Sequence, residues 1–75
     1  MLRHLALYRC LCYLYALNGR AVSTSNIVLE SGIPRSSFYH LIKPLIELGF
    51  VSRVERGWYI PVNIYQWHFD DLKEN

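Results

Sequence analysis

The chain has 75 residues, of which 52% are hydrophobic, and a formal net charge of +2 from eight Lys and Arg against six Asp and Glu. This length allows one domain, residues 1–75, with a small core, and the apolar content excludes a disordered tail. The net charge is low for a chain that binds a polyanion through its overall field. Any such recognition must depend on where the cations lie.

Residues 2 to 18 predict a first helix, because they contain no Gly or Pro and stop at Asn18-Gly19. The helix is apolar nearly all round, with Leu5, Cys12 and Ala16 on one side and Leu7, Leu11 and Leu14 on another. Such a helix is normally buried on more than one face, and a chain this short can cover only one. We expect the second face to contact another copy or a partner protein, unless the C-terminal segment covers it.

The same apolar stretch is too short for a membrane span, which needs about 20 residues, and it contains Arg9. Cys10 and Cys12 lie two residues apart, so on a helix they point to different sides and cannot form a disulfide. We expect reduced thiols in a cytoplasmic protein. The three histidines fall on separate predicted elements, so no metal site is predicted.

The centre of the chain has the order helix, turn, helix. Ser23 is a predicted N-cap for a second helix over about residues 24–31. Gly32-Ile33-Pro34 forms a tight turn, in which Gly32 takes a positive φ. A third helix follows over about residues 35–48. Its apolar residues, which form one inward stripe, are Phe38, Leu41, Ile42, Leu45 and Leu48. Pro44 should kink this helix, because it removes the hydrogen bond to the carbonyl of His40.

Residues 50–61 predict a β-hairpin, or wing, with its turn at Arg56-Gly57. Val51 and Val54 are its expected apolar anchors, and Pro61 should end the pairing. We expect Trp58 to pack under the wing. The C-terminal segment, residues 62–75, reads as a short helix capped by Asn63, with an extended arm as the alternative. The predicted fold is mainly α with a small β-hairpin: a winged helix-turn-helix with a three-helix core.

No residue set predicts catalysis or a cofactor. The chemistry that the pattern does offer is that of duplex recognition, which needs donors for base edges and cations for phosphates. In a winged helix-turn-helix, the third helix can enter the major groove while the wing reaches the neighbouring backbone. The predicted DNA-binding residues are Arg35, Ser36, Ser37, Tyr39, His40 and Lys43 on the third helix, Arg53 and Arg56 on the wing, and Ser23, Thr24 and Ser25 at the start of the second helix.

Each of these residues also has an ordinary structural interpretation. Arg35 can be solvated surface at a helix start, and Ser36 and Ser37 can serve only as capping residues. His40 can satisfy the carbonyl that the proline frees. Arg53 can belong to an ordinary exposed side of a strand.

From Val22 to Ile60 the chain resembles the N-terminal winged-helix domains of IclR-type and MarR-type bacterial transcription regulators. The resemblance lies in SGIPRSSFYHLIKPLIELGFVSRVERGWYI, where a Gly-apolar-Pro turn precedes a basic residue, two hydroxyl residues, a Leu-rich helix and Leu-Gly-aromatic-Val. It implies that Ser36, Ser37, Tyr39 and His40 face the groove and that Arg56 lies on the wing. The chain departs from the family at Pro44, and we expect no effector-sensing domain.

The sequence therefore predicts a sequence-specific binder of double-stranded DNA, a small transcriptional regulator that acts as a homodimer through the N-terminal helix, the C-terminal segment, or both. The alternative is a winged-helix adaptor that binds a protein, such as a phage or plasmid product that binds a host factor. The abundance of Tyr and Trp and the low net charge favour that alternative. An enzyme or an RNA-binding protein has no residue set to support it.

Overall fold

The computed structural model describes residues 2–62, so the predicted helix or arm from Asn63 onwards lies outside the described residues. Its elements in chain order are α1 (Leu2–Asn18), β1 (Val22–Ser23), α2 (Thr24–Ser31), α3 (Arg35–Glu47), β2 (Val51–Glu55) and β3 (Trp58–Pro61). Three helices pack with a small antiparallel sheet. The predicted fold class, a mainly helical winged helix-turn-helix, is confirmed.

Helix α1 ends where its last carbonyls find donors close by. The side-chain amide of Asn18 donates to the backbone carbonyl of Leu14 at 2.9 Å, and the backbone N–H of Gly19 donates to the carbonyl of Tyr15 at 2.7 Å. The helix buries Leu7, Leu11 and Leu14 and leaves much of the rest of its apolar surface exposed. No helix among residues 2–62 is long and apolar enough to cross a membrane.

The helix-turn-helix is fixed by one cap at each end of α2. The Ser23 hydroxyl accepts a hydrogen bond from the backbone N–H of Asn26 at 3.2 Å, which satisfies one of the unpaired donors of the first turn. Gly32 has φ 73°, a left-handed conformation that favours glycine, and its N–H donates to the carbonyl of Val28 at 3.1 Å. Ile33 is buried in the turn and anchors it to the core.

Helix α3 buries the predicted stripe except for its last member. Phe38, Leu41, Ile42 and Leu45 are buried, whereas Leu48 is 70% exposed, so the prediction for Leu48 was wrong. The physical reason is that Leu48 is the C-cap of a helix that ends at Glu47, and the chain turns away there. The helix continues through Pro44 to Glu47.

The sheet has three strands in the order β1-β3-β2, all antiparallel, where the sequence predicted only the hairpin. Pro61 is the last residue of β3, as expected, and it lies opposite Val51 in the ladder. The short strand β1 reaches only Trp58 and Tyr59, so β1 does not pair with Pro61, and the missing N–H of Pro61 is not required on that side.

The wing contains a register shift that the sequence did not predict. Arg53 lies opposite Tyr59 and Glu55 opposite Trp58, which leaves Val54 as the extra residue between them. Val54 is 49% exposed, so its predicted role as an apolar anchor was wrong, while Val51 is buried as expected. The shift breaks the alternation of the strand and changes which side chains share a face.

The core joins all three helices to the sheet. Its buried hydrophobic residues are Leu7, Leu11, Leu14, Val22, Ile27, Ile33, Phe38, Leu41, Ile42, Leu45, Val51 and Tyr59. The ring of Phe38 packs edge-on against that of Tyr59, with 5.6 Å between ring centroids. This contact fixes the first half of α3 against β3, the central strand of the sheet.

Candidate nucleic-acid interface

The outer side of α3 is a row of polar side chains. Because Phe38, Leu41, Ile42 and Leu45 face the core, most of the other positions of the helix face solvent. The exposed ones are Arg35, Ser36, Tyr39, His40, Lys43 and Glu47, while Ser37 is half-buried. The row thus combines hydroxyl, imidazole, phenol and cationic groups, which are the groups that contact base edges and phosphates.

A cleft of about 570 Å³ is bounded by the start of α2, the start of α3 and the wing. Its lining residues come from four segments of the chain and are Ser23, Thr24, Ser25, Arg35, Tyr39, Arg53, Arg56, Gly57, Trp58 and Tyr59. The fold thus brings together most of the residues that the sequence predicted for DNA contact. Ser36, Ser37, His40 and Lys43 are not among those that line the cleft.

Two hydrogen bonds hold the wing turn against the start of α2. The backbone N–H of Thr24 donates to the carbonyl of Gly57 at 3.0 Å, and the Thr24 hydroxyl donates to the same carbonyl at 3.4 Å. Gly57 has φ 82°, which favours glycine at this turn. Thr24 is only 5% exposed. The Thr24 side chain therefore stabilises the contact between α2 and the wing turn. Arg56 precedes Gly57 in the same turn, so its backbone is held near the start of α2.

The three hydroxyl residues at the start of α2 do not share one environment. Ser23 caps the helix, and Thr24 is buried against the wing turn, whereas Ser25 is exposed. The Ser25 hydroxyl lies 3.0 Å from Nη2 of Arg35, which donates to it. The first residue of α3 is therefore linked to the first turn of α2 across the helix-turn-helix, on the wall of the cleft.

Trp58 is the residue of this region for which the prediction from sequence was wrong. It is 43% exposed and lines the cleft, instead of packing under the wing. Tyr59 takes the buried position in its place, with 3% exposure. Adjacent residues of a strand point to opposite faces, so only one of the two rings can face the core. That alternation was the available signal, but it did not decide which ring was buried.

A second groove, of about 770 Å³, lies between the C-terminal half of α3 and β2. Tyr39 and Arg53 line both this groove and the cleft, and Lys43 lines this groove alone. Its remaining walls are more apolar, with Ile42, Ile46, Val51 and Val62 among them, and they also include Glu47. The two concavities adjoin, because they share Tyr39, Arg53 and Tyr59.

This arrangement, an exposed polar helix beside a basic β-hairpin that is tied to the preceding helix, defines the winged helix-turn-helix class of proteins. The family model of the IclR helix-turn-helix domain matches residues 16–55, from the end of α1 to the end of β2. The match spans more than half of the chain, and the protein belongs to this family. No curated protein matches the chain, and no solved structure matches it either.

Membership of this family supports a DNA-binding domain of the kind that regulates transcription. The matched stretch contains all of α2 and α3 and the wing residues Arg53 and Glu55. It ends before the turn at Arg56-Gly57 and before β3. The arginine and tryptophan at the end of the wing are therefore features of this chain beyond the matched stretch.

Proposed function

We propose that the protein is a sequence-specific binder of double-stranded DNA, a small transcriptional regulator that acts as a dimer. One observation carries this proposal: the exposed side of α3 lies beside a wing that bears Arg53 and Arg56, in a chain of the IclR helix-turn-helix family. An α-helix fits the DNA major groove, and cations on both sides of it can contact the phosphate strands.

Base reading falls to the exposed residues of α3 that lie away from the cleft. Ser36 and His40 are exposed and offer a hydroxyl and an imidazole, which can donate to or accept from base edges. Lys43, one turn further along, extends this row beside the second groove. The cations of the cleft are better suited to phosphates, because they lie between the helix and the wing.

Dimer formation is supported by the exposed side of α1. Leu2 is 83% exposed, Leu5 48%, Tyr13 55% and Leu17 64%. Exposed apolar clusters of this kind mark protein interaction surfaces. In the proposed dimer a second copy covers this face, and the two α3 helices contact half-sites about one helical turn apart.

Binding to DNA is tested by selecting a duplex from a random pool and measuring its affinity by fluorescence anisotropy. His40→Ala and Arg56→Ala should each weaken binding roughly five- to hundredfold, because a base-edge or phosphate contact is worth about 1–3 kcal/mol. Arg20→Ala is the control for lost charge, since Arg20 is exposed but lines neither concavity. Equal affinity of the parent and both variants would exclude this face as the DNA-binding surface.

A second candidate function is that of a protein-interaction adaptor, and the exposed apolar side of α1 is the observation that favours it. Sedimentation velocity at micromolar concentration, without and with duplex, distinguishes the two. Leu17→Lys should reduce self-association if α1 forms the dimer, whereas Leu29→Lys, a substitution of an exposed leucine on α2, should not. A monomer that has no salt-sensitive affinity for any duplex would favour the adaptor.

A further inference from the structure

Three arginines from three separate segments line the cleft between α2 and the wing. Arg35 is the first residue of α3, Arg53 lies in β2, and Arg56 lies in the wing turn. Of the described residues that line the cleft, none is acidic. Arginine does not lose its proton in proteins, so the lining carries three positive charges. The cleft is therefore suited to a negatively charged group.

The geometry of the cleft fits a phosphate group. Its volume of about 570 Å³ is more than a phosphate group needs, so the cleft can admit a phosphate that remains linked to a DNA strand. Guanidinium groups bind phosphate oxygens through paired N–H donors, with a strength and a geometry that a single ammonium does not match. One of the three arginines is held through its side chain, and a second lies on a fixed segment of backbone. Arg35 is hydrogen-bonded to Ser25, and Arg56 precedes the glycine whose carbonyl is bonded to Thr24.

We propose that Arg35, Arg53 and Arg56 together bind one phosphate group, which in the bound complex is a phosphate of the DNA backbone. The identity of that source rests on the proposed function. The proposal also assigns a role to Arg35, which is a positioning residue that fixes the duplex relative to α3 and does not read a base. Its link to Ser25 holds its guanidinium on the wall of the cleft, while Ser36 and His40 remain outside the cleft on the outer side of the helix.

The shared phosphate is tested with the full chain and a selected duplex in which single linkages are replaced, one at a time, by uncharged methylphosphonate. At the linkage bound in the cleft, this replacement should weaken binding of the parent roughly ten- to hundredfold. Arg35→Ala, Arg53→Ala and Arg56→Ala should each lose most of that sensitivity at the same linkage and keep it at the others. If each of the three variants loses its sensitivity to methylphosphonate at a different linkage, the arginines contact different phosphates and the proposal is wrong.

The positioning role of Arg35 is tested against every single base-pair change in the same duplex. Arg35→Ala should lower affinity by one common factor for all of them and reduce the slope of log affinity against log salt by at most about 1, because the other two arginines still contact the phosphate. His40→Ala should instead change the preference at one base pair. A change of base preference in Arg35→Ala would contradict the assigned role. Arg35→Lys, which keeps the charge and loses the paired donors, should recover only part of the affinity.

A phosphate titration separates this inference from the proposed function. Inorganic phosphate is added to the full chain at constant ionic strength, and the backbone amides of Ser25 and Gly57 are followed by NMR. These signals should shift in the parent and in Arg20→Ala, and should not shift in Arg35→Ala. If no duplex binds and the shifts still occur, the proposed function fails, the anion site stands, and its ligand is a free phosphate group. If neither duplex nor phosphate affects these signals, the anion site fails as well.

Discussion

Helices α1 and α3 bury similar stripes and expose opposite chemistry. Helix α1 buries Leu7, Leu11 and Leu14, and α3 buries a comparable set around Phe38. On its outer side, however, α1 presents mainly leucines and Tyr13, with Arg9 among them, whereas α3 presents hydroxyl, imidazole and cationic groups. The two helices contact the same core, so their outer sides belong to one rigid framework but offer two different surfaces.

The difference shows which surface suits which partner. The polar side of α3 is well hydrated when it is free, and its groups can exchange water for base edges and phosphates. The apolar side of α1 gains about 25 cal/mol for each Å² that a partner removes from water, and it gains nothing while it stays exposed. A small core shared by both helices can therefore hold a surface suited to DNA and a surface suited to protein at the same time.

The largest expected effect on stability comes from the buried side of α1, compared with its exposed side. Leu11→Ala should lower the free energy of unfolding by about 2–5 kcal/mol, because Leu11 is fully buried and its removal leaves a cavity. Leu17→Ala should change it by less than about 0.5 kcal/mol in the monomer, since Leu17 is 64% exposed. Urea denaturation at low protein concentration measures both. Similar losses for the two variants would mean that the outer side of α1 is not free surface.

A second prediction concerns Pro44, which interrupts the hydrogen bonding of α3 and has no counterpart in α1. Pro44→Ala should raise the free energy of unfolding by about 2 kcal/mol. A proline inside a helix costs about 3 kcal/mol. Its removal also gives the unfolded chain more conformational freedom, which lowers the gain in stability by up to about 1 kcal/mol. Lys43→Ala, at the exposed neighbouring position, is the control and should change it little. A loss of stability in Pro44→Ala would show that the ring contributes more by packing than it costs.

Local signals made the helices largely predictable. The cap at Ser23, the left-handed Gly32 and the spacing of Phe38, Leu41 and Ile42 each depend on residues within a few positions of one another. Reliance on the same local signals also led to the wrong prediction that Leu48 is buried. The apolar periodicity of the sequence continues past the point where the chain leaves the helix, and only the position of the C-cap shows where it stops applying.

The sheet and the cleft depend on contacts that are distant in sequence and were predicted less well. Strand β1 has two residues, too few to show alternation, and it exists because Val22 and Ser23 pair with Tyr59 and Trp58. The bulge at Val54 is likewise a property of the pairing. The sequence identified the three arginines of the cleft as cations. It contained no signal that Arg35 contacts Ser25, because that contact depends on the angle between α2 and α3.

A smaller effect separates a structural hydroxyl from an exposed one near the same interface. Ser23→Ala should lower the free energy of unfolding by about 1 kcal/mol, because it removes the cap on the N–H of Asn26. Ser36→Ala, on the outer side of α3, should leave stability unchanged and alter only the affinity for DNA. Thermal denaturation together with anisotropy measures both properties. If Ser36→Ala is the more destabilising variant, then Ser36 contributes to helix capping more than to DNA recognition.

The smallest effect should appear only at alkaline pH and comes from α1. Burial, and then the neighbouring Cys12, raises the pKa of Tyr8 to about 12, and burial likewise raises the pKa of the Cys12 thiol. The folded chain therefore keeps protons that the unfolded chain releases from about pH 9 upwards. This contribution to stability is complete below that pH and is lost as the pH rises towards 12. Urea denaturation near pH 7 and near pH 10.5 should show the decline in the parent, and the Tyr8→Phe, Cys12→Ala double variant should show less of it. Tyr8→Phe keeps a ring that can make the same edge-on contact with Phe50, so the double variant changes mainly the titrating groups. If the stability of the parent and of the double variant declines equally between the two pH values, other groups cause the pH dependence.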